Sequence, residues 1–271
     1  MPPRDILIAS TIELALIGVG LVLLWRLVLS PRARVARPPA ALGAWDISLS
    51  SFHSFFWIVI CGGLTAQFAA LQLFKLFKPS ADEKLVWGSA AFELGLLMGI
   101  VIFRVTLGHR PPRAAWATAG AVLSGATTFF IALPIVTVLS LGWHYFLERC
   151  GLPVEKQDLI RLFTDAQSPL LFIIMAVLAT IGAPLAEELI FRATIFRYLR
   201  TRIPRWGALV APACLFAALH TNLASFVPLV ALGIIFSLAY ERTGRIATSV
   251  IAHGLFNLHS IVLIFVAPGV T

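Results

Sequence analysis

Charge is what this chain has least of. Only 13% of its 271 residues are charged, 59% are hydrophobic, and the mean hydropathy is +0.91. An ordinary soluble domain carries about 25% charge, so that class is excluded and a polytopic membrane protein is indicated. Acid is scarcer than base: 13 Asp and Glu against 21 Lys and Arg, for a net charge of +8. The surplus arginines sit in short loops between apolar runs, which is a topological pattern rather than a nucleic-acid-binding face. The three cysteines, Cys61, Cys150 and Cys214, are far apart and form no CxxC pair, so neither a disulfide framework nor a cysteine metal site follows. There is no HExxH, no internal repeat and no low-complexity tract.

Long apolar runs take up most of the chain. Their spacing predicts an all-α, polytopic transmembrane helix bundle with about eight membrane segments. The runs are Ile6 to Leu29, His53 to Phe74, Leu85 to Phe103, Thr118 to Phe146, one beginning at Pro169, Trp206 to His220, Phe226 to Tyr240, and Ile246 to Ala267. The sixth and seventh are short for a full span and predict a hairpin turning at Thr221 to Ser225, leaving a protein-lined cavity. Pro134 is a site for a bend in the fourth, and Glu148 to Ser168 reads as a mixed-charge loop with a short surface helix. The simplest organisation is an accessory set of helices over 1–150 and a core over 165–267. Basic loops follow the first, third, fifth and seventh runs, which places them in the cytoplasm. The tryptophans near the run ends suit an aromatic belt.

Against this background Glu187, Glu188 and Arg192 are three charges within six residues of an apolar run. An ionised side chain at a helix centre costs roughly 2.5–3.5 kcal/mol on insertion scales. On a helix Glu188 and Arg192 share a face and can pair, whereas Glu187 is rotated about 100° away and has no partner on its own helix. That is either a structural ion pair joining helices or a site with one held carboxylate and one free base. Two further patterns follow. Phe216-x-x-x-His220 is by itself most simply a satisfied core histidine. His253-x-x-x-Asn257 is either an interhelical polar clasp or a pair of donors for an oxygen that gains charge. Counted from the nearest basic loop at about 1.5 Å per residue, Glu187, His220, His253 and Asn257 lie about 15, 21, 10 and 16 Å deep. Three helices thus bring polar side chains to one band. Glu13 reads as a packing or interfacial residue, and His53, His109, His144 and His259 are assigned to no site.

Glu-Glu-x-x-x-Arg, Phe-x-x-x-His and His-x-x-x-Asn, in this order on successive hydrophobic segments, resemble the CPBP family of intramembrane proteases. That family comprises the type II CAAX prenyl endopeptidases and their bacterial abortive-infection (Abi) relatives. The resemblance covers about Ala183 to Ser260; Ala183-Pro184 and Tyr240-x-x-x-Gly244 also fit, and Ala193 stands where the family often has glycine. It implies peptide-bond hydrolysis in the membrane. Glu187 would activate water with help from His220, His253 and Asn257 would stabilise the oxyanion, and Glu188 and Arg192 would order the site. It implies a membrane-anchored or lipidated substrate in a bacterial inner membrane, an active site nearer the cytoplasm, and no nucleic-acid partner. Glu187, His220 and His253 would supply three ligands to a divalent metal such as zinc. The missing HExxH and the poor ligand quality of Asn favour a metal-free glutamate mechanism. The rival readings are a non-proteolytic immunity or scaffold protein of the same fold, and a proton-relaying transporter. The transporter is disfavoured because no second half mirrors the Glu pair.

Overall fold

The computed structural model describes residues 4–36, 40–107, 119–154, 163 and 168–266. The surface helix expected within Glu148 to Ser168 lies largely outside them. Among the described residues there are helices and no strands. The elements are α1 (Arg4–Leu24, continued as a π-helix over Trp25–Leu29), α2 (Pro31–Val35), α3 (Leu49–Phe77), α4 (Ala81–Thr106) and α5 (Ala119–Arg149). They are followed by α6 (Pro169–Leu199), α7 (Arg205–Ala218), α8 (Leu223–Thr243) and α9 (Ile246–Val266). Seven of these runs are long and apolar enough to cross a membrane; α7, at 14 residues, is not. A helix pairs every backbone polar group within itself, which is why such runs are helices in hydrocarbon.

Local signals set the helix ends. Ser48 accepts from Ser51 N at the start of α3, and Ser80 and Glu83 form a reciprocal capping box at the start of α4. Asn222 accepts from Ser225 N at 2.8 Å and starts α8 three residues before the apolar run suggested, and Gly244 ends it in the left-handed region at φ 65°. The seventh segment is therefore 21 residues long and spans, contrary to the expectation that it falls short. The hairpin turn lies earlier too: Thr221 takes φ 51°, while Ser225 is already helical.

Packing relies on small residues where backbones approach. In the α3–α4 hairpin, a Cβ on Gly62 would come within 2.6 Å of Gly95 O, and one on Gly99 within 2.7 Å of Val59 Cα. This hairpin leans on α6 through Phe55, Val59, Ile100 and Phe103 against Leu189 and Ile190. α5 shares a core with α8 and α9, built on Ala132, Val136, Leu232, Phe236 and Ala252. α1 packs along α5, and Glu13 pairs with His259 Nε2 of α9 at 2.8 Å, which explains a charge in the first span as a helix-to-helix clasp.

The arginines at the end of α6 hold more than membrane topology. Arg197 donates to Gly43 O and Ala44 O, and Arg202 to Ile47 O at 2.7 Å. Arg200 and Arg205 both pair with Glu241, and Leu42 N donates to Glu241 O. The segment 40–48, the end of α6 and the end of α8 thus form one arginine-rich end of the bundle.

Candidate active site

The Glu pair lies in the middle of α6, where the helix changes pitch twice. Residues Ala183–Ile190 are α-helical, flanked by π-helical turns at Leu178–Gly182 and Phe191–Phe196. Such turns are rare and recur at functional sites. The sequence explains the first one. Pro184 has no N–H, and the Ala183 N–H bonds Leu178 O, so Ala179 O has no amide to accept from in either register. Asn257 Nδ2 of α9 supplies the missing donor at 2.8 Å. Gly254, one turn before it, lets α9 press against Thr180 O of the same segment. The Ala-Pro before the glutamates and the Asn of α9 are therefore two halves of one backbone contact.

Glu188 is fully buried. Its Oε1 accepts from Arg192 Nη1 at 2.8 Å and from His253 Nδ1 at 2.9 Å. This ties His253 of α9 to α6 and fixes its ring, with Nε2 turned toward Glu187 Oε2 at 3.7 Å. Glu187 keeps 28% of its side chain exposed against 0% for Glu188, so only Glu187 is open to a ligand or water. The spacing predicts the Glu188–Arg192 pair. The bond from His253 to Glu188 was not legible, because it depends on how α9 docks.

Arg192 is itself 1% exposed, and aromatic rings surround it. Its guanidinium lies 4.6 Å from the Phe216 centroid and 5.4 Å from that of Phe236. Phe236 stacks on His253, and Phe216 meets both His220 and His253 edge-on. Such faces stabilise a desolvated cation. Gly233 keeps the α7–α8 crossing close, since a Cβ there would come within 2.7 Å of Ala213 Cβ. Glu188 Oε2 and Arg192 Nη2 are buried without a hydrogen-bond partner, so the pair is held by one strong bond, the rings and His253. Phe216 and Phe236 belong to the site as much as the charges do. Phe216 was visible as the first residue of Phe-x-x-x-His, but Phe236 had no sequence signal.

The remaining expected residues sit at the margin. His220, in the last turn after α7, places Nδ1 2.8 Å from Phe216 O; its ring reaches His253 through Phe216 rather than directly. Asn257 spends one amide N–H on Ala179 O and keeps the second. Among the described residues no three His, Cys, Asp or Glu side chains are grouped to hold a metal ion. His253 Nδ1 is held by Glu188 and His220 Nδ1 by Phe216 O, so in both rings Nε2 is the nitrogen left for a metal. A residue the sequence analysis left unassigned enters from α4. Glu93 Oε2 is buried without a partner, lies within electrostatic reach of Glu187, and would be 2.5 Å from a Cβ on Gly182. A single acid on an apolar span was the available signal.

Residues 169–259, which hold every one of these groups except Glu93, match the family model "Type II CAAX prenyl endopeptidase Rce1-like". Over these residues the chain is similar to an Rce1-like domain. Among curated proteins, "Putative membrane peptidase YdiL" of Bacillus subtilis (strain 168) is 25% identical over 222 residues, 77% of this chain and 88% of that protein. "UPF0177 protein YbdI" of Lactococcus lactis subsp. lactis (strain IL1403) is 34% identical over 113 residues, 41% of this chain and 59% of that protein. No solved structure matches the chain. The Rce1-like match and the seven apolar spans make this an integral membrane protein and place it, at the level of the family, among membrane-embedded proteases. The matched segment is α6 to α9, and the helices before it complete the surroundings through Glu93 and the α3–α4 hairpin.

Proposed function

We propose that this Rce1-like protein is an intramembrane endopeptidase with Glu187 as its general base. One observation carries the reading: Arg192, Glu188 and His253 form a buried hydrogen-bonded chain that aims His253 Nε2 at the one accessible carboxylate, Glu187. The 3.7 Å between them is too long for a hydrogen bond and suits a bridging water, with a scissile carbonyl beside it. Glu187 takes a proton from water as the oxygen attacks the carbonyl carbon, and later delivers it to the leaving amine. His253, its Nδ1 held by Glu188, presents Nε2 to the oxyanion, and the second amide N–H of Asn257 is the other donor. His220, through Nε2, assists Glu187 in holding the water. Glu188 and Arg192 position His253 and touch no substrate.

Substrates of this site are membrane-anchored or lipidated proteins cut near the arginine-rich, cytoplasmic end of the bundle, in a bacterial inner membrane. A metal held by Glu187, His220 and His253 requires their free nitrogens to swing together; metal analysis of pure protein, with cleavage measured before and after chelation, tests it. The central experiment is cleavage of a lipidated or membrane-anchored peptide by reconstituted protein. Glu187→Gln is expected to lower the rate by at least 10²-fold, the scale of general-base catalysis, with melting unchanged. Full activity in a folded Glu187→Gln protein ends the reading. The engagement of Asn257 and His220 with backbone carbonyls favours a second reading, a non-proteolytic membrane factor, under which site variants keep the cellular phenotype.

A further inference from the structure

A cavity of about 590 Å³ lies between α1, α5 and α8, and none of the residues assigned to the site lines it. Its shape follows from how α1 lies along α5. At Gly20 the missing side chain admits the Phe130 backbone and Pro134; beyond it α1 widens into its π-helical turn at Trp25–Leu29 and does not close on α8. The walls are Leu27 and Val28 of α1, Leu123 and Ile131 of α5, and Ile235 and Leu238 of α8. Three hydroxyls in the wall are already used: Ser124 bonds Gly120 O and Thr248, Thr128 bonds Ser124 O, and Thr243 bonds Ala239 O. The mouth, at the arginine-rich end, holds Arg205, Glu241 and Arg242.

Depth and charge select the occupant. Along α5 the lining runs from Gly120 to Ile135, about 22 Å at 1.5 Å per residue. One leaflet supplies roughly 15 Å of hydrocarbon, half of about 30 Å, with a headgroup layer above it. At the mouth a single carboxylate, Glu241, is shared by two arginines, Arg200 and Arg205, so this cluster is cationic. Arg205 gives Glu241 one N–H at 2.8 Å and is 53% exposed, which leaves donors of its planar fork at headgroup level. A purely hydrocarbon anchor of a substrate has no use for that cluster, and the crevice does not include Glu187. We propose that it holds one resident anionic phospholipid, with the phosphate at Arg205 and an acyl chain along α5. This does not depend on proteolysis.

Native mass spectrometry of the full-length protein, released from micelles containing equal dioleoyl phosphatidylglycerol and dioleoyl phosphatidylcholine, tests it. One phosphatidylglycerol is expected to be retained in preference. Arg205→Gln should weaken that retention about fivefold, the worth of one arginine near an anionic headgroup, and leave phosphatidylcholine unaffected. Thr127→Trp should fill the crevice and remove the adduct; Leu123→Phe, at an exposed lip, does the same with less risk to the fold. Equal retention of both lipids, or an adduct unchanged in folded filling variants, overturns the proposal. Displacement of the phospholipid by a farnesylated peptide also overturns it, because the crevice would then belong to a substrate anchor.

Discussion

At the residue scale the two adjacent glutamates differ in their environment. Glu188 is enclosed with Arg192, His253 and three phenylalanines nearby, and Glu187 faces an opening. Removing one partner of a buried ion pair strands the other charge and costs about 3–5 kcal/mol. Arg192→Leu should therefore lower stability by about that amount in detergent unfolding, far more than Glu187→Gln. Arg192→Lys keeps the charge but loses the planar fork against Phe216, and should rescue only part of the loss. Gly182 is constrained from outside its own helix. A side chain there meets Glu93, so Gly182→Val should displace α4 and lower the melting temperature, whereas Gly18→Val, where nothing lies within 4 Å, should not.

At the element scale α6 is defined by where its α-helical bonding fails. Pro184 orphans Ala179 O and Asn257 answers it. Asn257→Ala should leave a buried carbonyl unpaired at about 1–3 kcal/mol. Pro184→Ala returns an amide to this turn, so in the double variant the cost of Asn257→Ala should shrink. A double-mutant cycle showing coupling of about 0.5 kcal/mol or more checks this, and additive losses would separate the two residues. The α3–α4 hairpin rests on backbone contact at Gly62, Gly95 and Gly99. Gly99→Leu should separate the two helices, read as a drop in melting temperature and faster proteolysis. The spacing Gly95-x-x-x-Gly99 was present in the sequence, but its partner on α3 was not.

At the scale of the whole molecule, the arginines at the end of α6 and Arg205 at the start of α7 meet Glu241 of α8 and the carbonyls of segment 40–48 at one end. If that end is cytoplasmic, exposed Cys150, beyond the opposite end of α5, faces outward. A membrane-impermeant maleimide should then label Cys150 in intact cells and fail to label a Cys150→Ser protein, and labelling only after lysis would invert the orientation. The sequence by itself determined the helical, membrane-spanning class, because hydrocarbon leaves an apolar chain no other way to pair its backbone. It also determined the Glu188–Arg192 pair, since i and i+4 share a helix face. The tertiary structure decided the rest. His253 on Glu188, Asn257 on Ala179, the rings around Arg192, the approach of Glu93 and the crevice beside α1 all join residues far apart in the chain. Helical periodicity says which face a side chain occupies but not which neighbour docks against it. That depends on where glycines let backbones close and where Pro184 leaves a carbonyl unpaired. For the glutamate pair, docking is what separates a buried, paired carboxylate from an accessible one.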